Sequence, residues 1–232
     1  MKTLTKYQGV SSLACAVALF GTGANLFADT IEFGNPPDPG NGNFFPFTGN
    51  GFNINNRYQQ VYNSSFFAGA GYIDTITFYN TQLPGAVFET ADYTIRLSTT
   101  TKPVNGLDFN MNNNVGGDEA VFYAATLSGL TGVSFTFDGS DFYYDPSLGN
   151  LLVDIQRVNQ IVNSGSGFLD ARNGTFGTDS SRMHNYDSGF ESFGLRTTFE
   201  TKGTSVPDAG PTFALLGFAL LGLGAVRRQL AQ

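Results

Sequence analysis

Residues 29–205 are predicted to form one all-β domain, a jelly-roll-like β-sandwich. Short segments rich in aromatic and β-branched residues recur along this region, and apolar residues alternate in the clearest of them, as in Tyr93, Ile95 and Leu97. Clusters of Gly, Asn, Pro and Asp separate these segments, and none carries a sustained apolar stripe of helical period. About eight to ten short strands at such spacing are typical of two packed antiparallel sheets.

The individual strands follow from the alternation. In residues 72–79, Ile76 and Phe78 are expected on one face, and Ile73 and Tyr79 on the other. The predicted strands, in chain order, are residues 57–62, 72–79, 93–97, 120–127, 133–137, 151–158, 167–171 and 193–199. In the fifth of these, Val133, Phe135 and Phe137 are expected to point together towards the core, with Ser134 and Thr136 facing outwards.

The segments between the strands are predicted to be turns and loops. Residues 145–150 contain Pro146 and Gly149 and are expected to form a tight turn that joins residues 142–144 to 151–155 as a hairpin. Residues rich in Gly, Asn and Pro favour a long loop or an irregular edge at 34–56. A short tether is expected at residues 201–205.

The N-terminal segment, residues 1–28, is typical of a secretory signal peptide. Lys2 and Lys6 precede an apolar stretch at 13–20, and small residues follow, with candidate cleavage points after Ala24 or Ala28. The single cysteine, Cys15, lies inside the apolar stretch. The exported chain is therefore expected to contain no disulfide, and its stability must come from the core.

The C-terminal segment, residues 206–232, has three parts. A turn-rich motif at 206–212 consists of Val206, Pro207, Asp208, Ala209, Gly210, Pro211 and Thr212. An uncharged apolar run follows, predicted as a transmembrane helix at 211–226, and Arg227 and Arg228 close it. Fourteen residues from Phe213 cover only about 21 Å of a hydrocarbon core of roughly 30 Å, so Pro211 and the snorkelling arginines are needed to complete the span. The alternative is a buried helix of the globular domain.

The arginine pair predicts the orientation of this segment. Positive charge after the apolar run places the C-terminus in the cytoplasm and everything before Val206 outside. Motif, apolar run and basic end together resemble a PEP-CTERM-type sorting signal, most closely its VPDSG-CTERM variant, with Ala209 at the fourth position. The resemblance implies recognition by an exosortase-type membrane enzyme, cleavage near the motif, and delivery to the cell surface.

The charge of the predicted domain excludes some partners. Between Asp29 and Ser205 there are 8 Lys and Arg against 18 Asp and Glu, a net charge near −10. Such a surface repels nucleic-acid phosphates and anionic lipid headgroups. It suits solubility outside the cell, or cation-mediated association with an anionic matrix.

The sequence offers few groups for catalysis. His184 is the only histidine, and Ser180, Ser181 and Asp187 lie near it without the Gly-x-Ser-x-Gly setting of a hydrolase nucleophile. We expect His184 to be an exposed loop residue and the protein not to be an enzyme. A zinc site would need several His or Cys ligands, and no metal or cofactor is expected.

Carboxylates and aromatic rings remain as candidate contacts with sugars or cations. Asp138, Asp141 and Asp145 are expected in one turn region beside Tyr143 and Tyr144. Oxygen-rich loops such as this one, and the Asp/Asn/Gly-rich residues 110–119, can hold Ca²⁺, although solvated turns are the favoured interpretation. Exposed rings could stack on sugars, for which residues 44–47, 66–67, Tyr79 and 142–144 are candidates, although most rings are expected in the core.

These observations predict an exported protein of the bacterial surface or extracellular matrix with a structural or adhesive, non-enzymatic role. It would pass transiently through the inner membrane as a single-pass protein before it reaches the cell surface or the medium. A carbohydrate-binding module that recognises exopolysaccharide is the alternative, and a secreted hydrolase is the least favoured one.

Overall fold

The computed structural model describes residues 29–38, 42–43, 45–48, 56–82, 85–162, 164–173, 179–184, 190–191 and 193–203. All of them belong to one unit of the chain, Leu26–Thr204. The predicted signal peptide, sorting motif, transmembrane run and arginine pair lie outside the described residues.

These residues form thirteen strands and two short 3₁₀ turns, so the all-β prediction is confirmed. The 3₁₀ turns are Ser64–Phe66 and Met111–Asn114. The strands are β1 (Thr30–Phe33), β2 (Gly42–Asn43), β3 (Asn56–Tyr62), β4 (Gly71–Tyr79), β5 (Val87–Thr100), β6 (Ala120–Leu130), β7 (Ser134–Tyr144), β8 (Asn150–Val158), β9 (Leu169–Asn173), β10 (Ser180–His184), β11 (Phe190–Glu191), β12 (Phe193–Leu195) and β13 (Thr197–Lys202).

The strands pair into three antiparallel sheets. A four-stranded sheet has the order β1-β13-β4-β7, and a six-stranded sheet has the order β11-β10-β3-β8-β5-β6. A small third sheet has the order β12-β9-β2. Because most neighbours in the two larger sheets are not consecutive in the chain, strand pairing in this fold is dominated by contacts between distant segments.

One continuous apolar core joins the inner faces of the two larger sheets. Ile76 and Phe199 from the four-stranded sheet and Tyr93 and Ile155 from the six-stranded sheet are all 0–1% exposed. Burial between two sheets explains the alternation of apolar residues along these strands, since only every second side chain reaches the core. The arrangement is sandwich-like.

The six-stranded sheet is also covered on part of its outer face. Val61 and Leu152 point away from the main core and pack with Met183, Leu107 and Met111, the last two from the β5–β6 connection. Burial on both faces explains why Leu151, Leu152 and Val153 form an uninterrupted apolar run that does not alternate.

The predicted hairpin at residues 145–150 is wrong, although its turn is present. The amide of Leu148 donates to the carbonyl of Asp145 at 3.1 Å. However, β7 pairs with β4, whereas β8 pairs with β3 and β5 in the other sheet. The turn therefore carries the chain from one sheet to the other, because turn chemistry reverses the chain without choosing the strand that it pairs with.

Three further predictions along these strands need correction. Ile73 shares the core face with Ile76 and Phe78, because a bulge between Ile73 and Thr75 in the pairing with β7 shifts the alternation by one residue. Val133 is 58% exposed and precedes β7 instead of lining its core face. The predicted tether at residues 201–205 begins inside β13, which continues to Lys202.

Candidate functional site on the four-stranded sheet

The outer face of the four-stranded sheet carries hydroxyl groups and charged groups. It is the counterpart of the core face, because residues on either side of buried Ile76, Phe137 and Phe199 must point outwards. The residues on this face include Thr30, Glu32, Tyr72, Thr75, Thr77, Tyr79, Thr136, Asp138, Tyr143, Thr198, Glu200 and Lys202.

One row across this face combines two aromatic rings with a cation. Lys202 of β13 lies opposite Tyr72 of β4, which lies opposite Tyr143 of β7. The centroids of the two tyrosine rings are 5.4 Å apart in an edge-to-face arrangement. Tyr72 is 36% and Tyr143 48% exposed, so both rings are open to a ligand from solvent.

Two carboxylates flank the cation of this row. The ammonium of Lys202 forms an ion pair with Asp74 and lies 3.4 Å from Oδ1 of Asp141. The hydrogen bond to Asp74 is the main cause that raises the pKa of Lys202, with a further contribution from Asp141. The lysine thus stays charged and neutralises part of the acidic surface. Its ammonium occupies the space beside Asp141 where a divalent cation would have to bind.

A bulge in the β4–β7 ladder brings these carboxylates to the row. Thr75 pairs with Asp138 and Ile73 with Phe142, so residues 139–141 of β7 oppose Asp74 alone. Gly139 is required here, since a Cβ at this position would lie 2.3 Å from the carbonyl oxygen of Phe122. The prediction that Asp138 and Asp141 occupy a turn is therefore wrong, because they lie on an extended, bulged strand.

The remainder of the face is occupied by contacts within the protein. The hydroxyls of Thr77 and Thr136 are 2.8 Å apart, and those of Tyr79 and Thr198 are 2.8 Å apart. The guanidinium of Arg196 lies 4.0 Å from the ring centroid of Tyr79. Tyr79, a predicted sugar-stacking ring, is therefore covered, and the Tyr72–Tyr143 end is where the face can accept a planar ligand.

The structure separates the five predicted contact residues. Asp138, Asp141 and Tyr143 lie on the outer face. Tyr144 is 1% exposed and its hydroxyl donates to the carbonyl of Gly149 at 2.8 Å, and burial raises its pKa. Asp145 lies in the β7–β8 turn, where the hydroxyl and amide of Ser147 donate to its carboxylate and lower its pKa.

Sequence reasoning missed three members of this site, namely Tyr72, Asp74 and Lys202. Lys202 falls in the predicted tether, yet Thr198, Glu200 and Lys202 continue the polar alternation around Phe199. That pattern would have extended the predicted strand at 193–199 to Lys202. Asp74 gave no comparable signal, because its position depends on the bulge.

Most of the other predicted rings belong to the core. Phe45, Phe47, Phe67 and Phe142 are 0–9% exposed. Phe66 is 43% exposed, and the centroid of its ring lies 5.2 Å from that of Phe33.

The connection between β5 and β6 contains the candidate cation loop at residues 110–119. The carboxylate of Asp118 in this loop accepts from the amide of Thr99 at 2.8 Å. Among the residues that the structure describes, no group of three or more His, Cys, Asp and Glu side chains could hold a metal ion.

The prediction that His184 is an exposed loop residue is wrong. It lies in β10, is 5% exposed, and stacks on Phe45 with ring centroids 5.1 Å apart. Residues 180–184 pair in register with β3, so tertiary packing buries a histidine in a segment without strong apolar alternation. Ser181 is on the opposite face of β10 from His184, and its hydroxyl accepts from the amide of Asn105. Asp187 lies outside the described residues.

A comparison with known families identifies the C-terminal segment. This segment matches a C-terminal sorting domain of the PEP-CTERM type. Residues 205–230 match the VPDSG-CTERM motif, which confirms the resemblance seen in the sequence. The motif implies export and sorting of the chain. In the described part of the chain, no helix has the length and apolarity needed to cross a bilayer.

No curated protein matches the chain. Among solved structures, the cysteine protease and lectin-like domains of Cwp84, a surface layer associated protein of Clostridium difficile, give a TM-score of 0.39 at 13% identity over 65% of this chain. A second structure of the clostridial cysteine protease Cwp84, after propeptide cleavage, gives 0.38 at 14% identity over 66%. The matches span 33% and 37% of those chains, and scores this low support no argument about function.

Proposed function

We propose that this chain is a bacterial surface or extracellular-matrix protein with a structural or adhesive role. Residues 1–28 direct export, and residues 211–226 hold the chain transiently in the inner membrane with its C-terminus in the cytoplasm. An exosortase-type enzyme then cleaves near Val206, Pro207 and Asp208. The observation that carries this proposal is the match of residues 205–230 to a sorting motif.

The processing step is tested with a C-terminal epitope and an antibody against the domain. In cells with an intact exosortase, the mature protein should react with the antibody and lack the epitope. Cells without the exosortase should show both signals in one full-length band. A full-length band carrying both signals in exosortase-positive cells would contradict the processing step.

The apolar run is expected to act as a temporary membrane stop. Leu220→Asp, near its centre, should cost about 2.5–3.5 kcal/mol of insertion free energy, roughly a 100-fold shift in the insertion equilibrium. Most chains should therefore pass the membrane uncleaved, with the epitope recovered in the medium. Leu220→Ile is the matched control and should stay membrane-associated until processing. Equal behaviour of the two variants would show that the run does not span the bilayer.

We further propose that the domain has a jelly-roll arrangement. Eight of its strands divide into the orders β1-β13-β4-β7 and β3-β8-β5-β6. The connections β3–β4, β4–β5, β6–β7 and β7–β8 each lead from one of these sheets to the other. Such alternation is the pattern of two interleaved Greek keys. Jelly rolls host many unrelated functions, so the arrangement alone assigns none.

The row of Tyr72, Tyr143 and Lys202 supports a second candidate function, the binding of exopolysaccharide. Two exposed rings offer a surface on which sugar rings can stack, and the neighbouring Asp74 and Asp141 can accept hydrogen bonds from hydroxyls. In this version, the domain attaches the protein to the matrix through the four-stranded sheet without any metal or cofactor.

The double variant Tyr72→Ala/Tyr143→Ala should bind polysaccharide from the producing bacterium at least about tenfold more weakly, about 1.4 kcal/mol. Leu148→Ala removes a 68% exposed side chain in the β7–β8 turn and serves as the control with unchanged binding. Affinity electrophoresis with and without chelator measures both effects. Unchanged binding of the double variant would show that these rings are not the binding site. Loss of binding by the unmodified protein when chelator is added would assign the contact to a bound cation.

We propose that the protein is not an enzyme. The stacking of His184 on Phe45 within a strand supports a structural role for the only histidine. A secreted hydrolase would be revived only if a demonstrable activity were abolished by His184→Ala while the variant stayed folded.

A further inference from the structure

Strand β6 (Ala120–Leu130) forms one edge of the six-stranded sheet. It pairs with β5 on one side, and no strand within the described residues pairs with its other side. Ala124, Thr126 and Ser128 are exposed. A long exposed edge presents a row of backbone N–H and C=O groups that can template pairing with another strand.

Between its two irregular places, this edge lacks the charged residues and prolines that usually prevent such pairing. Residues 120–137 contain no Asp, Glu, Lys, Arg or Pro, whereas charged residues and proline are the common protection of edge strands. Irregular pairing with β5 is confined to two places, beside residues 127–129 and at Phe122. Residues 123–127 therefore form a regular, unprotected stretch of edge.

The occupant that best fits this stretch is the same stretch of a second copy. In an antiparallel pair centred on Ala125, Tyr123 lies opposite Leu127 of the other copy and Ala124 lies opposite Thr126. All these pairs are uncharged, and an aromatic ring against an aliphatic chain is a favourable cross-strand pair. A pair of identical strands related by a twofold axis is also self-complementary by symmetry.

The charge of the chain points to the same occupant. Two copies that each carry a net charge near −10 between residues 29 and 205 repel one another over most of their surfaces. The stretch 120–137 adds no charge to such an approach, and the carboxylate of Asp92 on the neighbouring strand accepts a hydrogen bond from Thr126. Exposed Val121 and Leu130 at the two ends of β6, 50% and 74% exposed, add apolar surface that pairing would cover.

We propose that the protein self-associates through antiparallel pairing of β6 with β6 of a second copy, centred on Ala125. The pairing joins two six-stranded sheets into one continuous sheet across a twofold axis. It goes beyond the proposed sorting function and does not depend on it, since no residue of the C-terminal motif takes part.

Single-cysteine cross-linking tests the register. Cys15 is the only native cysteine, so the full-length chain with Cys15→Ser in nonionic detergent provides a background without thiols. Residues directly opposite in an antiparallel pair have Cα atoms about 4.5–5.5 Å apart, which suits a disulfide. Ala125→Cys should therefore form a covalent dimer under mild oxidation. Leu148→Cys, at a more exposed position in the β7–β8 turn, should remain monomeric.

A second measurement follows the association without a cross-link. In sedimentation equilibrium, Ala124→Lys should weaken dimerisation at least about tenfold, because it places two ammonium groups near each other across the axis. Leu148→Lys adds the same charge elsewhere and should dimerise like the unmodified chain. Absence of an Ala125→Cys dimer, equal cross-linking of Leu148→Cys, or equal association of the two lysine variants would each overturn the proposal.

Discussion

Phe47→Ala is expected to lower the free energy of unfolding by about 3–5 kcal/mol, among the largest effects of any single substitution in this domain. Phe47 is 0% exposed, and its ring lies within 5.1–6.2 Å of those of Phe78, Phe88, Tyr93, Phe135 and Phe137. These partners come from both large sheets. Alanine would leave a cavity between the sheets that rigid strands cannot collapse to fill.

Urea denaturation measures this loss, and the melting temperature should fall by roughly 10 °C for a domain of this size. Leu148→Ala removes an exposed side chain and should change stability by no more than about 0.5 kcal/mol. If Phe47→Ala unfolded at the same urea concentration as Leu148→Ala, residues 45–48 would not form part of the core.

Asp154→Ala is expected to have a comparable effect on the opposite face of the six-stranded sheet. The carboxylate of Asp154 is 3% exposed and accepts from Nε and Nη2 of Arg57 at 3.0 and 2.5 Å and from Nε2 of Gln59 at 2.7 Å. This hydrogen bonding raises the pKa of Arg57. Removing the carboxylate leaves the Arg57 cation, whose side chain is 24% exposed, without its counterion, and it takes one of two acceptors from the Gln59 amide. The expected cost is about 3–5 kcal/mol.

The side chains of Arg57 and Gln59 also bind the β5–β6 connection and hold it on the sheet. Nη1 of Arg57 donates to Asn112 at 2.6 Å, and Nε2 of Gln59 donates to the carbonyl of Met111 at 2.9 Å. Loss of Asp154 should therefore also expose this connection, which hydrogen exchange of residues 107–114 would detect.

A double variant distinguishes the effect of an uncompensated charge from the effect of lost packing around Arg57 and Asp154. Arg57→Met/Asp154→Leu replaces both charges by apolar groups of similar size, and it should regain most of the stability lost in Asp154→Ala. Guanidinium chloride denaturation of the single and double variants measures the difference. A double variant no more stable than Asp154→Ala would show that the loss comes from packing and not from an uncompensated charge.

The sequence alone determined the features that depend on local chemistry. The motif at 206–212, the apolar run and the arginine pair are contiguous, so the sorting segment could be recognised without any fold. The alternation of Tyr93, Ile95 and Leu97 likewise predicted a strand with one buried face, and all three side chains are 0–1% exposed. Period-two patterns survive because the pleat of a strand is a local property.

Only the tertiary structure decided which strands meet. It placed the two strands joined by the 145–150 turn in different sheets, buried His184 against Phe45, and aligned Lys202 with Tyr72 and Tyr143. Each of these depends on pairing between segments that are distant in the chain, and the bulge at Asp74 depends on the partner strand as well. Strand pairing depends on how complete surfaces pack and satisfy their hydrogen bonds. A short stretch of sequence does not specify which distant segment it will pair with.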